Sequence, residues 1–251
     1  MQSIYVSSLI FLIVFGGAAL GMFLRRLLPE EHFSQDARVV ISLSTGVVVT
    51  MTGLVLGMLV SSAKSSYDAQ RVRVEQVSSK IILLNRTLVE YGPEADQIRS
   101  QIGGLVEATL HRVWPREAFK PVQLQPTDYI NKIEQQLRFL APTNDHQAAV
   151  KIKAIGLLDD LRQATWLVFI ESESNSLPTP MLIVLVSWLV AIFVSFGLVA
   201  PPNPTVIVTL LVSAFAVSSA ILIILEMYTP FSGILRISSA PIRDALSQIQ
   251  H

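Results

Sequence analysis

The sequence predicts an all-α integral membrane protein with four transmembrane helices and a helical soluble domain inserted between the second and the third. Uncharged runs at residues 4–24, 39–63 and 174–225 are the first observation behind this prediction. A helix rises about 1.5 Å per residue and a bilayer core is about 30 Å thick, so the third run is long enough for two crossings. The second observation is that most of the charged residues lie between the second and third runs, where no strand-like alternation appears.

The first run is predicted to be a retained transmembrane helix. Its basic pair, Arg25 and Arg26, follows the apolar stretch, whereas a cleaved signal peptide has its basic residues before it. Gly17 and Gly21 form a G-x-x-x-G pair, which allows another helix to approach closely. We therefore expect these two glycines to be helix-packing positions. A short polar connection then leads to the second helix.

The second helix is predicted to cross the membrane and to continue into the soluble domain as far as Tyr91. Small or apolar residues recur along it at alternating steps of three and four, which indicates packing along one face. Gly92 and Pro93 provide the stop signal. We call this row of small and apolar residues the seam. Gly53 of the seam forms a second G-x-x-x-G pair with Gly57, which is a further predicted packing position. Within the membrane the seam consists of Ser42, Gly46, Val49, Gly53, Leu56 and Val60.

Residues 64–176 are predicted to form a bundle of roughly four helical segments. Apolar residues at helical spacing predict one helix over 94–113, and a loop with three prolines separates it from a helix over 128–140. A long helix is expected to end near residue 174. Its predicted buried stripe is Val150, Ile152, Ile155, Leu158, Leu161, Trp166 and Phe169.

The C-terminal part is predicted to be a second transmembrane hairpin followed by a tail. Prolines at 201, 202 and 204 divide the third uncharged run into two helices. In the tail, a turn is expected at 230–233, and Ile242, Leu246 and Ile249 share one face of a short amphipathic helix suited to the membrane surface or to the bundle. The predicted domains are thus residues 1–63, 64–176, 177–228 and 229–251.

Basic residues near the helix ends predict the orientation. One side of the membrane would carry Arg25, Arg26 and Arg38. The positive-inside rule places the richer opposite side in the cytoplasm, together with both termini and the soluble domain, in a multi-pass protein of the cell inner membrane. The basic residues of that side are Lys64, Arg71, Arg73, Lys80, Arg236 and Arg243.

Composition and motifs exclude several classes of function. The formal net charge is zero, so nucleic-acid binding has no electrostatic basis, and the absence of cysteine excludes thiolate chemistry. Glu107 and His111 lie four residues apart, but zinc normally requires three or four protein ligands. No phosphate-binding loop or nucleophile elbow is present. We expect no enzyme activity, no metal and no cofactor.

Two stretches resemble signatures of the bestrophin-like domain family, which comprises bacterial and plant membrane proteins of unknown function. The first is LVLGMLVSSAKSSYDAQRVRVEQVSSKI at 54–81, and the second is YTPFSGILRISSAPIRDAL at 228–246. The resemblance covers nearly the whole chain in helix order. In the second signature the matching residues are Glu226, Pro230, Phe231, Gly233, Ser238 and Pro241. For Glu226, at a helix end, we expect a structural role, either capping or pairing with Arg236.

The family is named for bestrophins, which are calcium-gated pentameric anion channels. This resemblance implies a homo-oligomeric channel, and the seam of the second helix would line its pore. The partners of such a channel would be the bilayer, further copies of the chain and ions. Two features differ from bestrophins: residues 39–66 contain no aromatic side chain, and Glu226 replaces a dense acidic run after the fourth helix. The alternative is a non-conducting membrane scaffold or sensor, in which the seam packs within one subunit and the soluble domain binds a partner.

Overall fold

The computed structural model describes residues 2–29, 34–114, 126–174, 179–201, 203–231 and 233–250, and no strand occurs among them. The predicted proline-rich loop at 115–125, Pro202 and the side chain of Phe169 lie outside the described residues. Eight α-helices are described: α1 (Gln2–Leu27), α2 (Gln35–Tyr91), α3 (Asp96–Val113), α4 (Pro126–Phe139), α5 (Asp145–Ser174), α6 (Thr179–Val199), α7 (Pro204–Met227) and α8 (Ala240–Gln250).

Four helices, α1, α2, α6 and α7, are long and apolar enough to cross a membrane. Helix α2 has 57 residues and continues without interruption to Tyr91, as the sequence predicts. It begins four residues earlier than the uncharged run, where the Oγ of Ser34 accepts a hydrogen bond of 3.2 Å from the N–H of Ala37. It ends where Gly92 adopts a φ of 122°, a value that favours glycine because it has no Cβ.

The chain divides into two compact units, which we call the membrane unit and the helical unit. The membrane unit consists of residues 1–66, 176–228 and 233–235. The helical unit consists of residues 67–175, 229–232 and 236–251. The long helix α2 contributes to both units, because its apolar positions continue past the uncharged run.

In the membrane unit, α1 packs against α6 and α7. A Cβ on Gly21 would lie only 3.0 Å from the Cα of Gly197, so the two helix backbones meet closely at this point. The Oγ of Ser7 donates a hydrogen bond of 2.8 Å to the carbonyl of Ser218, which satisfies a buried hydroxyl. The fully buried side chains of this core include Val14, Ala18, Leu185, Ala214 and Ile221.

In the helical unit, α3 packs on α4 and α8, and α4 packs on α5. The amphipathic helix α8 buries Ile242 and Ile249 in this core, with Leu246 partly buried beside them. Of the two sites predicted for its apolar face, the structure therefore selects the bundle. The fully buried members of the core include Leu84, Leu88, Ile102, Leu110, Ile133, Leu137, Leu158 and Leu161.

The predicted buried stripe of α5 is partly wrong. Ile152 is 73% exposed and Trp166 is 60% exposed. Each lies outside the buried face because one residue advances a helix by about 100°, which separates Ile152 from Val150 by about 200°. The buried face of α5 consists of Val150, Ala154, Leu158, Leu161 and Thr165.

Candidate functional site

Helix α2 packs into the membrane unit through a face that contains two threonines. Thr45, Thr52 and Leu59 are buried at intervals of seven residues, followed by Ala63. The Oγ1 of Thr52 donates a hydrogen bond of 2.7 Å to the carbonyl of Val48 in the same helix. This bond satisfies the hydroxyl and leaves the methyl group to pack, so a threonine can occupy an apolar contact.

The predicted pore-lining seam lies beside this buried face and not within it. At about 100° per residue, the centre of the seam is turned by about 80° from the buried face. The exposed fractions of Val49 and Val60 are 42% and 37%. A Cβ on Gly46 or Gly53 would meet no atom within 4 Å. Ser42 is exposed, and Leu56 is the member of the seam that packs in part against the membrane core.

The predicted packing glycines have two different surroundings. A Cβ on Gly17 would lie 3.3 Å from Cγ1 of Val190, so Gly17, like Gly21, lies against α6. A Cβ on Gly57 would meet no atom within 4 Å. Within one chain, Gly17 and Gly21 of α1 therefore border a helix contact, whereas Gly57 of α2 borders open space.

A groove of about 570 Å³ opens between the N-terminal half of α2 and the adjoining ends of α6 and α7. Ser42, Gly46 and Val49 form part of one wall. The other walls carry Phe196 and Val199 of α6 and the threonines of α7, so the groove is mainly apolar with scattered hydroxyls. Half of the predicted seam thus borders a cavity that a single chain leaves open.

Glu226 and Gly233 of the second signature meet at the end of α7. Glu226 is only 2% exposed, and its carboxylate accepts hydrogen bonds from the backbone N–H groups of Ile234 and Leu235, the latter at 3.4 Å. A Cβ on Gly233 would overlap the same carboxylate oxygen. A side chain at position 233 would therefore require the Glu226 carboxylate to move. Glu226 caps a backbone segment, which is one of the two structural roles expected for it.

Pro230 and Phe231 belong to the helical unit, where they form a second contact of the signature. The N–H of Ile237 donates a hydrogen bond of 2.7 Å to the carbonyl of Pro230. The rings of Phe231 and Trp114 meet edge to face at 5.4 Å, and the Nε1 of Trp114 donates a bond of 2.9 Å to the carbonyl of Ile237. Sequence reasoning missed Trp114. Its only signal was a tryptophan where a predicted helix gives way to prolines.

Within the described ranges, no group of three or more histidine, aspartate or glutamate side chains could hold a metal ion. Glu107 lines a separate groove with Asp96 and Arg99, and His111 is exposed. The described residues therefore offer no ligand set around the pair that the sequence singles out.

The fold is similar to solved structures of bacterial bestrophin homologues. A Klebsiella pneumoniae homologue with a tryptophan-to-alanine substitution matches with a TM-score of 0.71 and 12% identity, over 99% of this chain and 97% of that chain. A second Klebsiella pneumoniae structure, with an aspartate-to-alanine substitution, matches with a TM-score of 0.65 and 12% identity, over 100% of this chain and 98% of that chain. No curated protein matches the chain in sequence. At this level of identity the likeness is one of fold.

The family model described as Bestrophin-like domain matches residues 12–242. This range includes all four apolar helices in whole or in large part, the whole first signature stretch, and residues 228–242 of the second. The resemblance proposed from the sequence is thus confirmed, and the chain belongs to the bestrophin-like domain family.

Proposed function

We propose that the protein is a homo-oligomeric ion channel whose pore is lined by α2, with Ser42, Gly46, Val49, Gly53, Leu56 and Val60 toward the shared axis. The observation that carries this proposal is the exposure of the seam in a single chain. The membrane unit buries the neighbouring face of α2 and leaves open space beside Gly46 and Gly53. A face of small and apolar residues that makes few contacts within one chain is suited to surround an axis shared between copies.

The chemistry of the seam suits a narrow apolar pore. Rings of Val49, Leu56 and Val60 would form constrictions that conduct only when water enters them. The hydroxyl of Ser42 would offer polar contact where an ion sheds part of its hydration. The seam has no charged residue. Selectivity would therefore depend on diameter and hydroxyl groups and not on a ring of charge.

The proposed gating differs from the calcium control of bestrophins. Glu226 is occupied in capping the backbone at Ile234 and Leu235. Both bonds are accepted by one carboxylate oxygen, Oε2, which holds the group against the turn, and our proposal assigns no calcium to Glu226. The proposed channel has no enzymatic activity.

The proposed arrangement places the C-terminal end of α2 and the domain at 64–176 in the cytoplasm with both termini. The proposed domain boundaries at 63, 176 and 228 lie at, or within three residues of, the limits of the uncharged runs. In a bacterial cell this corresponds to the inner membrane, with the richer set of basic residues inside.

Flux through liposomes that contain the purified full-length chain tests the proposal. Gly53→Ser adds a hydroxyl to an apolar ring and should raise flux, whereas Gly53→Leu should narrow the ring and lower it. A Cβ at residue 53 meets no atom of the same chain within 4 Å, so neither change should disturb the fold of the single chain. Met51→Ser is the matched control, because Met51 is 53% exposed and lies on another side of α2. Val55 is unsuitable as a control because it packs against the membrane core.

Two outcomes would contradict the proposal. Unaltered flux in both Gly53 variants, with oligomers intact on a sizing column, would remove α2 as the pore wall. Absence of flux from well-assembled protein under varied ions, pH and calcium would instead favour the scaffold or sensor. That alternative is supported by exposed apolar side chains of the helical unit, Phe139 at 78% and Ile152 at 73% exposure, which could contact a partner protein.

A further inference from the structure

A small pocket in the helical unit brings two arginines together beside the first turn of α8. Its volume is about 250 Å³, below the usual range for drug-sized ligands, so it suits a compact group. One wall comes from the part of α2 that follows the uncharged run, and the other comes from the segment that leads into α8. The residues that matter for its chemistry are Tyr67, Arg71, Glu75, Arg236, Ser238 and Pro241.

The backbone of this pocket is held in place by hydrogen bonds on both sides. The Oγ of Ser78 on α2 donates a bond of 2.5 Å to the carbonyl of Pro241, which fixes the first turn of α8 against α2. The Oγ of Ser238 accepts a bond of 3.1 Å from the N–H of Ala240. Ile237 is held from two directions, through its N–H by Pro230 and through its carbonyl by Trp114. These bonds fix the backbone around the pocket.

The charge of the pocket is positive. The Nε of Arg71 lies 3.2 Å from the Oε1 of Glu75, so one arginine has an acidic neighbour. Arg236 forms no ion pair with any residue that the structure describes. The hydroxyls of Tyr67 and Ser238 can donate hydrogen bonds, and the positive end of the α8 dipole adds to the field. The pocket therefore offers mainly donors and an excess of positive charge.

We propose that this pocket binds a phosphate group, carried by an anionic phospholipid or by a free phosphate. The guanidinium fork matches the oxygens of a phosphate and forms charge-assisted hydrogen bonds with it. Arg71 follows Ala63, the last residue of the uncharged run, by eight positions, or about 12 Å along the helix axis. Basic residues at this distance from a membrane-crossing segment attract anionic headgroups.

The proposal is tested by calorimetric titration of the full-length protein in neutral detergent. The probes are inorganic phosphate and short-chain phosphatidylglycerol, with short-chain phosphatidylcholine as the zwitterionic reference. Arg71→Gln and Arg236→Gln should each weaken binding about tenfold or more, because each removes a charge-assisted hydrogen bond. Arg86→Gln is the matched control, since Arg86 is an exposed arginine of α2 outside the pocket and its loss should leave affinity unchanged.

A fourth variant makes the opposite prediction. Glu75→Gln removes the carboxylate that competes for Arg71 and repels an anion, so affinity should rise several-fold. A damaged fold would not produce such a gain. Binding of phosphatidylglycerol but not phosphate would support the lipid as the source, and the reverse result would support a free phosphate compound. Binding of neither probe, an equal loss in Arg86→Gln, or weaker binding in Glu75→Gln would overturn the proposal. The readout needs no ion flux, so it is independent of the channel proposal.

Discussion

Gly233 lies against the carboxylate of Glu226, and the space between them has no room for a methyl group. This contact places Glu226 where its carboxylate can accept hydrogen bonds from the N–H groups of Ile234 and Leu235. The carboxyl group is buried, so displacing it would break these hydrogen bonds and disturb a closely packed contact. At the scale of single residues, the absence of one side chain allows another to act as a cap.

Gly233→Ala should therefore destabilise the protein by about 1–3 kcal/mol, because the new methyl group must displace the Glu226 carboxylate. The measurement is thermal unfolding of the full-length protein in detergent. Gly156→Ala is the matched control. Gly156 lies within α5 with no atom within 4 Å of its Cβ position, so alanine should stabilise the helix by about 0.5–1 kcal/mol. Equal unfolding temperatures for wild type and Gly233→Ala would contradict the close contact.

The same scale shows where sequence reasoning stops. Gly46 and Gly53 each directly follow a threonine, Thr45 or Thr52. Both residue types recur after seven residues, so two neighbouring faces of α2 show the same periodicity. Periodicity identifies both faces but does not say which one the chain uses. The intrahelical hydrogen bond of Thr52, which makes that residue suitable for an apolar contact, is visible only in the structure.

At the scale of elements, α4 and α5 are joined by an ion-pair network centred on Glu134. Its carboxylate receives hydrogen bonds from Arg162 of α5 and, at 2.8 Å, from Arg138 of its own helix. These two guanidinium groups, Arg162 first, hold the pKa of Glu134 below its usual value of 4.5. A lowered pKa in the folded state means that the charged carboxylate stabilises the fold.

This stabilisation should be present above about pH 4.5 and lost as pH falls through the lowered pKa of the folded protein. We expect Glu134→Gln to be less stable than wild type at pH 7 and equal to it in strong acid. The difference should be small and should shrink at high salt, because the pair is partly exposed. Thermal unfolding at both pH values measures it. In an Arg162→Gln background the effect of Glu134→Gln should be reduced, and an unchanged effect would contradict the pairing.

Helix α5 shows why element boundaries were easier to predict than helix faces. Its end near residue 174 follows from the start of the uncharged run. Its buried face did not follow, because Ile152 and Trp166 are apolar and yet exposed. Burial of an apolar side chain is favourable, but the sequence does not say against what. A contact with another molecule can bury it as well as the chain's own core does.

At the scale of the whole molecule, the four apolar helices were predictable because the cost of placing charges in a bilayer leaves a clear pattern in the sequence. The two signature stretches could be recognised in the sequence because each is a continuous run of residues. The contact of Trp114 with Ile237 joins residues 123 positions apart, and no local pattern predicts which backbone carbonyl a distant indole will meet.

The orientation of the chain is a whole-molecule property that the distribution of arginine and lysine predicts. With four crossings, the connection between α6 and α7 should face the side opposite to the helical unit. The basic residues favour the helical unit as the cytoplasmic side. The chain contains no cysteine, so single introduced cysteines can report on each side without a background.

Asn203→Cys, in the connection between α6 and α7, should react with an impermeant maleimide added outside intact cells. Ser100→Cys, at an exposed position of α3, should react only after the membrane is permeabilised. Labelling of both cysteines in permeabilised cells is the control for accessibility, because it separates a protected side from a buried thiol. The reverse pattern in intact cells would overturn the orientation. It would also place Arg71 and Arg236 at the outer leaflet, so that a free phosphate or an outer-leaflet lipid would have to supply the group proposed for their pocket.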